Sequence, residues 1–264
     1  MAFALLKPPI DELVLPGGDA LAFVDSATGE AVTAGLSCSL VLRQGGKLLG
    51  RSRSTPTGVH HWPDLPDRWR TAAAPVLADV FVSDELERFL PLSLPWPLPA
   101  ALAGQIIAST ELGGVRLLRV SLLSAPGRRA PPGLASLYGL LTWKVDGTAA
   151  AWARVTYVDG SGRSYDGASD AQGRLALHLP RPRPDKAGSP AEPAPQLRVF
   201  ASTALAGRSV PDVLVFAAQP EVRALASETT AGTYAPPKFT SGEPLVLATQ
   251  DLSPPRRELR LGPI

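Results

Sequence analysis

The sequence predicts an all-β protein built as two β-sandwich domains joined by a proline-rich bridge, and three observations lead there. Apolar residues recur at alternate positions in short runs, such as Leu36, Cys38, Leu40 and Leu42 in LSCSLVL and Leu175, Leu177 and Leu179 in RLALHLP. That period of two belongs to strands. Proline is abundant, 28 of 264 residues against a usual share of about 5%, and it breaks helix interiors. Hydrophobic residues make up 45% of the chain and charged residues 19%, a balance that supports packed cores and not compositional disorder. A chain of this length accommodates two domains of roughly 100 to 150 residues each.

The first sandwich is expected over residues 1–89. LAFVD reads as a strand, SATGE as a turn, and LSCSLVL and KLLGRS as the arms of a hairpin around Gly45 and Gly46. Two glycines there supply the positive φ of a type I′ turn. PVLADVFVS reads as a further strand, and SDELERF as one helical turn capped by Ser83. The bridge is expected over 90–133. LPLSLPWPLPAALA is too dense in proline for regular strand pairing and reads as an extended segment lying on a surface. GGVRLLRVSLLSA adds a strand, and APGRRAPPG is the most linker-like stretch.

The second sandwich is expected over 134–264. LYGLLTWKVDG, WARVTYV, RLALHLP, LRVFAST, VLVFAA, PLVLAT and RELRLG supply its strands. RPRPDKAGSPAEPAP, residues 181–195, has no periodicity and reads as a mobile loop. The two halves show the same order of events. Val24-Asp25 opens a turn in the first and Val145-Asp146 in the second, and STPTGVHHWPDLP corresponds to SDAQGRLALHLP. That order suggests two sandwiches of related plan.

The stretch from Leu137 to Pro180 resembles the carboxypeptidase regulatory-like domain, an immunoglobulin-like β-sandwich. The resemblance is carried by Gly139, the Asp146-Gly147 turn, the small-residue bend leading into Ala153 to Val155, and the closing hairpin from Ser169-Asp170 to Leu177. It implies an immunoglobulin-like β-sandwich over residues 137–264, and the shared order of events extends that plan to the first half. The whole-chain layout also resembles accessory structural proteins of phage-like contractile tails and injection systems.

Few residues invite a chemical reading. The 26 basic and 24 acidic residues form no basic stripe, which argues against nucleic acid as a partner. Arg128-Arg129 and Arg256-Arg257 read as solvated loop charges. The single cysteine, Cys38, excludes an intrachain disulfide and reads as a buried thiol. His60 and His61 are adjacent and so face opposite sides of a strand, which leaves at most a partial metal site with Asp64; His178 is expected on the outer, exposed face of its strand. Asp159, Asp166 and Asp170 offer oxygen ligands without the spacing of a calcium loop, and their ordinary role is turn formation. No Gly-x-Ser-x-Gly, P-loop or Gly-x-Gly-x-x-Gly motif occurs. The expectation is therefore no enzyme activity, no cofactor and no metal.

Five tryptophans, Trp62, Trp69, Trp96, Trp143 and Trp152, leave open the alternative of a stand-alone module for a glycan or cell-surface ligand. Trp62 is expected to anchor a surface loop. The preferred reading is a non-enzymatic structural and docking component of a protein assembly, plausible for a phage-like tail or contractile injection particle. Its partner contacts are assigned to Pro95, Trp96 and Pro97 in the bridge and to Arg181 and Arg183 in the loop. MAFALLKPPIDEL lacks a Sec-type signal, and no apolar run is long enough to cross a bilayer. Synthesis in the cytoplasm and incorporation into a particle are expected.

Overall fold

The computed structural model describes residues 19–63, 77–96, 107–112, 115–181, 193–229, 232, 234–237, 244–252 and 257–263. Residues 19–122 form nine strands: β1 Asp19–Asp25, β2 Leu36–Leu42, β3 Leu48–Arg51, β4 Arg53–Ser54, β5 Val59–His61, β6 Ala78–Asp84, β7 Leu92–Trp96, β8 Ile107–Leu112 and β9 Val115–Leu122. They make two sheets, ordered β4-β5-β1-β9-β8 and β3-β2-β6-β7. The alternating residues of β2 meet those of β1, β6 and β9 between the sheets, so Leu21, Phe23, Cys38, Leu40, Val80, Leu94, Val120 and Leu122 are buried together.

Residues 134–262 repeat the plan with β10 Leu134–Trp143, β11 Arg154–Val158, β12 Ser164–Ala168, β13 Arg174–Pro180, β14 Gln196–Phe200, β15 Glu221–Ala224, β16 Leu245–Leu247 and β17 Leu259–Gly262. These run as one ladder, β12-β11-β14-β15-β17-β10-β13, with β16 also paired to β10. The short β15 joins the two layers, pairing with β14 through Val222 and Glu221 and with β17 through Arg223 and Ala224. Between the layers lie Leu137, Leu141, Val155, Leu175, Leu177, Val199, Leu259 and Leu261.

The internal repeat holds nearly hydrogen bond for hydrogen bond. In each sandwich the first strand runs parallel to the last, β1 to β9 and β10 to β17. Asp25 N–H donates to the Glu30 carbonyl, Gly29 N–H to the Asp25 carbonyl and Ser26 N–H to the Leu122 carbonyl; Trp143, Gly147 and Lys144 donate likewise to Thr148, Trp143 and Leu261. Asp25 therefore corresponds to Trp143, and the two Val-Asp pairs are out of register. The second correspondence holds as expected. Thr55 to Val59 and Asp170 to Arg174 form the same turn, with Gly58 at φ 80° and Gly173 at φ 78°. A Cβ at Gly173 would strike the Leu141 carbonyl oxygen, and one at Gly58 the Val32 carbonyl oxygen. Both turns need glycine for conformation and for space.

Five expectations are corrected. Leu92–Trp96 is a paired strand and not an unpaired bridge: β7 pairs with β6, Pro95 standing opposite Asp79. It lies at the end of its sheet, the place where a strand tolerates proline. VLVFA is a helix, α1 Val213–Ala217, because Asp212 caps it by accepting from Leu214 N–H at 2.8 Å; a short apolar run has no period to distinguish the two. The turn after β6 is organised by Asp84, which accepts from Arg88 N–H at 2.7 Å, and Ser83 remains in the strand. The β2–β3 connection spans Arg43 to Gly46, since Leu42 N–H donates to the Lys47 carbonyl, with positive φ at both glycines. Finally, β13 is buried on both faces: Ala176 is 0% and His178 1% exposed.

Leu177→Ala should cost about 2–5 kcal/mol in chemical denaturation, as a large-to-small change in a closed core. Gly173→Ala should cost at least about 1–2 kcal/mol through its positive φ and the carbonyl contact. A neutral Gly173→Ala would show that the turn can reopen without disturbing β10.

Candidate functional site

The most constructed polar region lies where the two sandwiches meet. Asp25 ends β1 and closes its turn by accepting from Ala27 N–H at 2.9 Å and the Thr28 hydroxyl at 3.1 Å. The same carboxylate receives Arg128 from the linker, Nη1 to Oδ1 at 2.9 Å and Nη2 to Oδ2 at 2.5 Å. Arg128 also donates to the Ser124 hydroxyl at 2.9 Å and lies 4.7 Å over the Phe89 ring. The side chains of Arg128 and Asp25 are 10% and 8% exposed. Arg128 is thus no solvated loop charge, whereas Arg129 is exposed. Burial alone would raise the Asp25 carboxyl, but the hydrogen bonds from Arg128 and the Ala27 N–H outweigh it and hold the group below its ordinary 3.8.

Apolar side chains from both sandwiches close the joint. Leu90 from the first packs with Ala151, Trp152, Ala168, Leu205 and Phe216 of the second, and Leu123 lies against them. Helix α1 reaches further, its Val213 being buried with the first core. Ser93 N–H donates to the Pro211 carbonyl at 3.0 Å, so the outer side of β7 receives backbone from the second sandwich. Trp152 sits at φ 58°, a conformation rare for a bulky residue. It is held there by its indole N–H to the Arg208 carbonyl at 2.9 Å and by Gln219, which donates to the Trp152 carbonyl at 2.9 Å.

The expected contact residues take separate places. Pro95 is buried, and Trp96 is half-buried with its ring 5.4 Å from Trp62. Trp96 packs against the first core, and Pro95 shares the opposite face of β7 with Ser93. Arg181 is exposed just after β13, and Pro97 and Arg183 lie outside the described residues. Trp62 is 6% exposed in the first core, so the surface anchor expected of it is corrected. Trp143 packs against the second core, Trp152 is in the joint, and Trp69 lies outside the described residues. The four described tryptophans therefore build no flat outer platform for a sugar.

The oxygen-rich loop is engaged in its own turns. Asp159 accepts from Ser161, the Arg163 N–H and the Tyr165 hydroxyl; Asp166 accepts from Thr156; and Asp170 accepts from Gln172 and Arg174. Among the described residues no three His, Cys, Asp or Glu side chains gather as a metal set. His60 is buried with its Nδ1 2.9 Å from the Ser52 hydroxyl and its ring edge-on to Phe23, while His61 is half-buried on the other side; Asp64 lies outside the described residues. Burial raises the Cys38 thiol to about 12, which removes thiolate character. No described helix is long and apolar enough to cross a membrane.

What sequence reasoning missed is the joint. A carboxylate at the end of a first strand and an arginine in a linker are unremarkable separately, and only the fold brings residues so distant in the chain together. The legible signal was partial: the Asp-x-x-Thr-Gly turn at Asp25 marks a side chain with a fixed position.

Arg128→Met should destabilise the protein by about 3–5 kcal/mol, because it strands the buried Asp25 carboxylate, while Arg129→Met should stay within about 0.5 kcal/mol. The stability from Asp25 is complete above its ordinary 3.8 and is lost as the pH falls through its lower folded value; acid denaturation of Arg128→Met should lack that component. Addition of EDTA should leave the melting temperature unchanged, and a clear fall would reveal a cation at the Asp159 loop.

No family model and no curated protein matches the chain. Among solved structures, the shaft pilin SpaA from Lactobacillus rhamnosus GG is similar at 8% identity over 70% of this chain and 86% of that one, with a TM-score of 0.27. The Streptococcal ancillary pilin is similar at 10% identity over 93% of this chain and 62% of that one, TM-score 0.22. The Bacillus anthracis TIE protein is similar at 11% identity and a TM-score of 0.21, over 69% of this chain and only 27% of that one. At scores this low, none of the three bears on what this chain binds or assembles with.

Proposed function

We propose that the chain is a non-enzymatic structural and docking component of a larger protein assembly. The observation that supports this reading is the joint. A buried ion pair fixes the linker on the first sandwich, and a shared apolar cluster and a helix lent by one to the other hold two sandwiches of one plan, an arrangement that fixes the spacing of whatever is attached at either end. The groups that a catalytic site would draw on are spent on architecture: Asp25 and Asp170 close turns, Ser169 holds the backbone of Ala150 and Ala153, and His60 packs beneath Phe23.

The assembly we have in view is a phage-like tail or contractile injection particle, into which the chain is taken after synthesis in the cytoplasm. Partner contacts are assigned to Arg181, exposed just after β13, and, by sequence alone, to Pro97 and Arg183. The alternative of a glycan-binding module is the weaker one, since the described tryptophans face inward.

The loop supplies the test. In RPRPDKAGS both arginines precede proline, so trypsin is restricted to the bond after Lys186. Free chain should be cut there first, and chain recovered within native particles should resist at that bond. Equal cleavage in both, or recovery from its native host only as a free monomer, would reject the assembly reading.

A further inference from the structure

One face of β13 buries a titratable ring. His178 is 1% exposed and lies on the face of β13 opposite the core-facing leucines. Its Nδ1 is 3.1 Å from the hydroxyl of Ser136, its cross-strand neighbour on β10. Its Nε2 is buried with no hydrogen-bond partner among the described residues. The charged groups that act on the ring are Arg128 and Asp25, the ion pair contributed by the linker and by β1. On the same face of its own sheet lie the Ser136 hydroxyl, which meets its Nδ1, and the neutral side chain of Tyr138, diagonally across on β10.

We propose that His178 makes the joint between the two sandwiches acid-labile, so that its protonation separates the linker from the β10–β13 face. With a neutral ring the buried charges balance, Arg128 against Asp25. A protonated ring adds a second cation beside the first. Both oxygens of Asp25 are already occupied by Arg128, Ala27 and Thr28, so the new N–H has no free carboxylate to meet. A buried charge without a partner is strongly unfavourable, and opening the face to water relieves it.

The sign follows from the same groups. Burial first, and Arg128 second, hold the imidazole below its ordinary 6.5, with Asp25 opposing. The closed joint therefore binds fewer protons than the open one. Its stability is complete above 6.5 and is lost as the pH falls through the lower value of the closed state. His60 is also buried and lowered, by burial and by His61, but it lies in the first core under Phe23, so its protonation loosens β5 and not the joint.

Hydrogen exchange of the full chain, corrected for intrinsic rates, tests it at about pH 7.5 and about pH 5, either side of the ordinary histidine range. The reporting amide is Ser93, bonded to the Pro211 carbonyl across the joint. In the wild type it should lose protection by at least about tenfold at the lower pH while the β2–β6 amides keep theirs. His178→Asn retains an amide toward Ser136, cannot titrate, and leaves His60 in place; it should keep protection at both pH values. Unchanged protection in the wild type, or equal loss in the variant, overturns the proposal. If the variant does not fold, the wild-type imidazole NMR signal decides. It should titrate together with the loss of Ser93 protection, and a ring that protonates while the joint stays closed refutes the idea.

Discussion

The joint depends on one carboxylate that serves two structures. Asp25 closes the turn after β1 through Ala27 and Thr28, and with the same two oxygens it holds Arg128 in the linker. A buried ion pair of this kind contributes little net stability once desolvation is counted. Its consequence is positional. Arg128 can satisfy its donors only where Asp25, Ser124 and the Phe89 face coincide, so the linker has one favourable course, and β10 begins where that course delivers it.

With the linker fixed, the other contacts of the joint become local. Pro211 and Asp212 come to rest beside Ser93, and the capped helix α1 inserts Val213 at the first core. This also manages the free side of β7, where unpaired backbone would otherwise be open to another chain. Trp152 in its left-handed conformation fits the same account. The conformation is unfavourable for a bulky residue, and it persists because Arg208, Gln219 and the apolar cluster all fix the indole and its backbone.

Period-two patterning made most of the fold legible in the sequence. LSCSLVL, RLALHLP and GGVRLLRVSLLSA contain β2, β13 and β9 at close to their observed limits, and the match of STPTG to SDAQG disclosed the repeat although the two Val-Asp pairs do not align. Patterning failed where period carries no information. VLVFA is too short to show helix or strand, and only its Asp cap decides. Proline density in LSLPWPLP suggested an unpaired segment, although one face of a terminal strand needs no N–H from Pro95. The second face of β13 misled for a different reason: Ala176 and His178 look like an outward set by period, yet both are buried. Contacts between units leave no periodic trace, so the joint was the least readable part of the chain.

The repeat also shows that the joint is particular to one end. The position of Asp25 in the first sandwich is held by Trp143 in the second, where the equivalent turn is closed by Asp146 through Thr148. That carboxylate sits within the exposed turn, while Trp143 packs toward the second core. The arginine nearest the corresponding backbone is Arg260 of β17, which donates to the Trp143 carbonyl at 3.2 Å and to Glu258 at 3.3 Å. An arginine arriving from a further unit would find no free carboxylate at that position. The two sandwiches share a plan for their cores and turns but not for their ends, so a third unit could not dock on the second by the contacts that hold the second to the first.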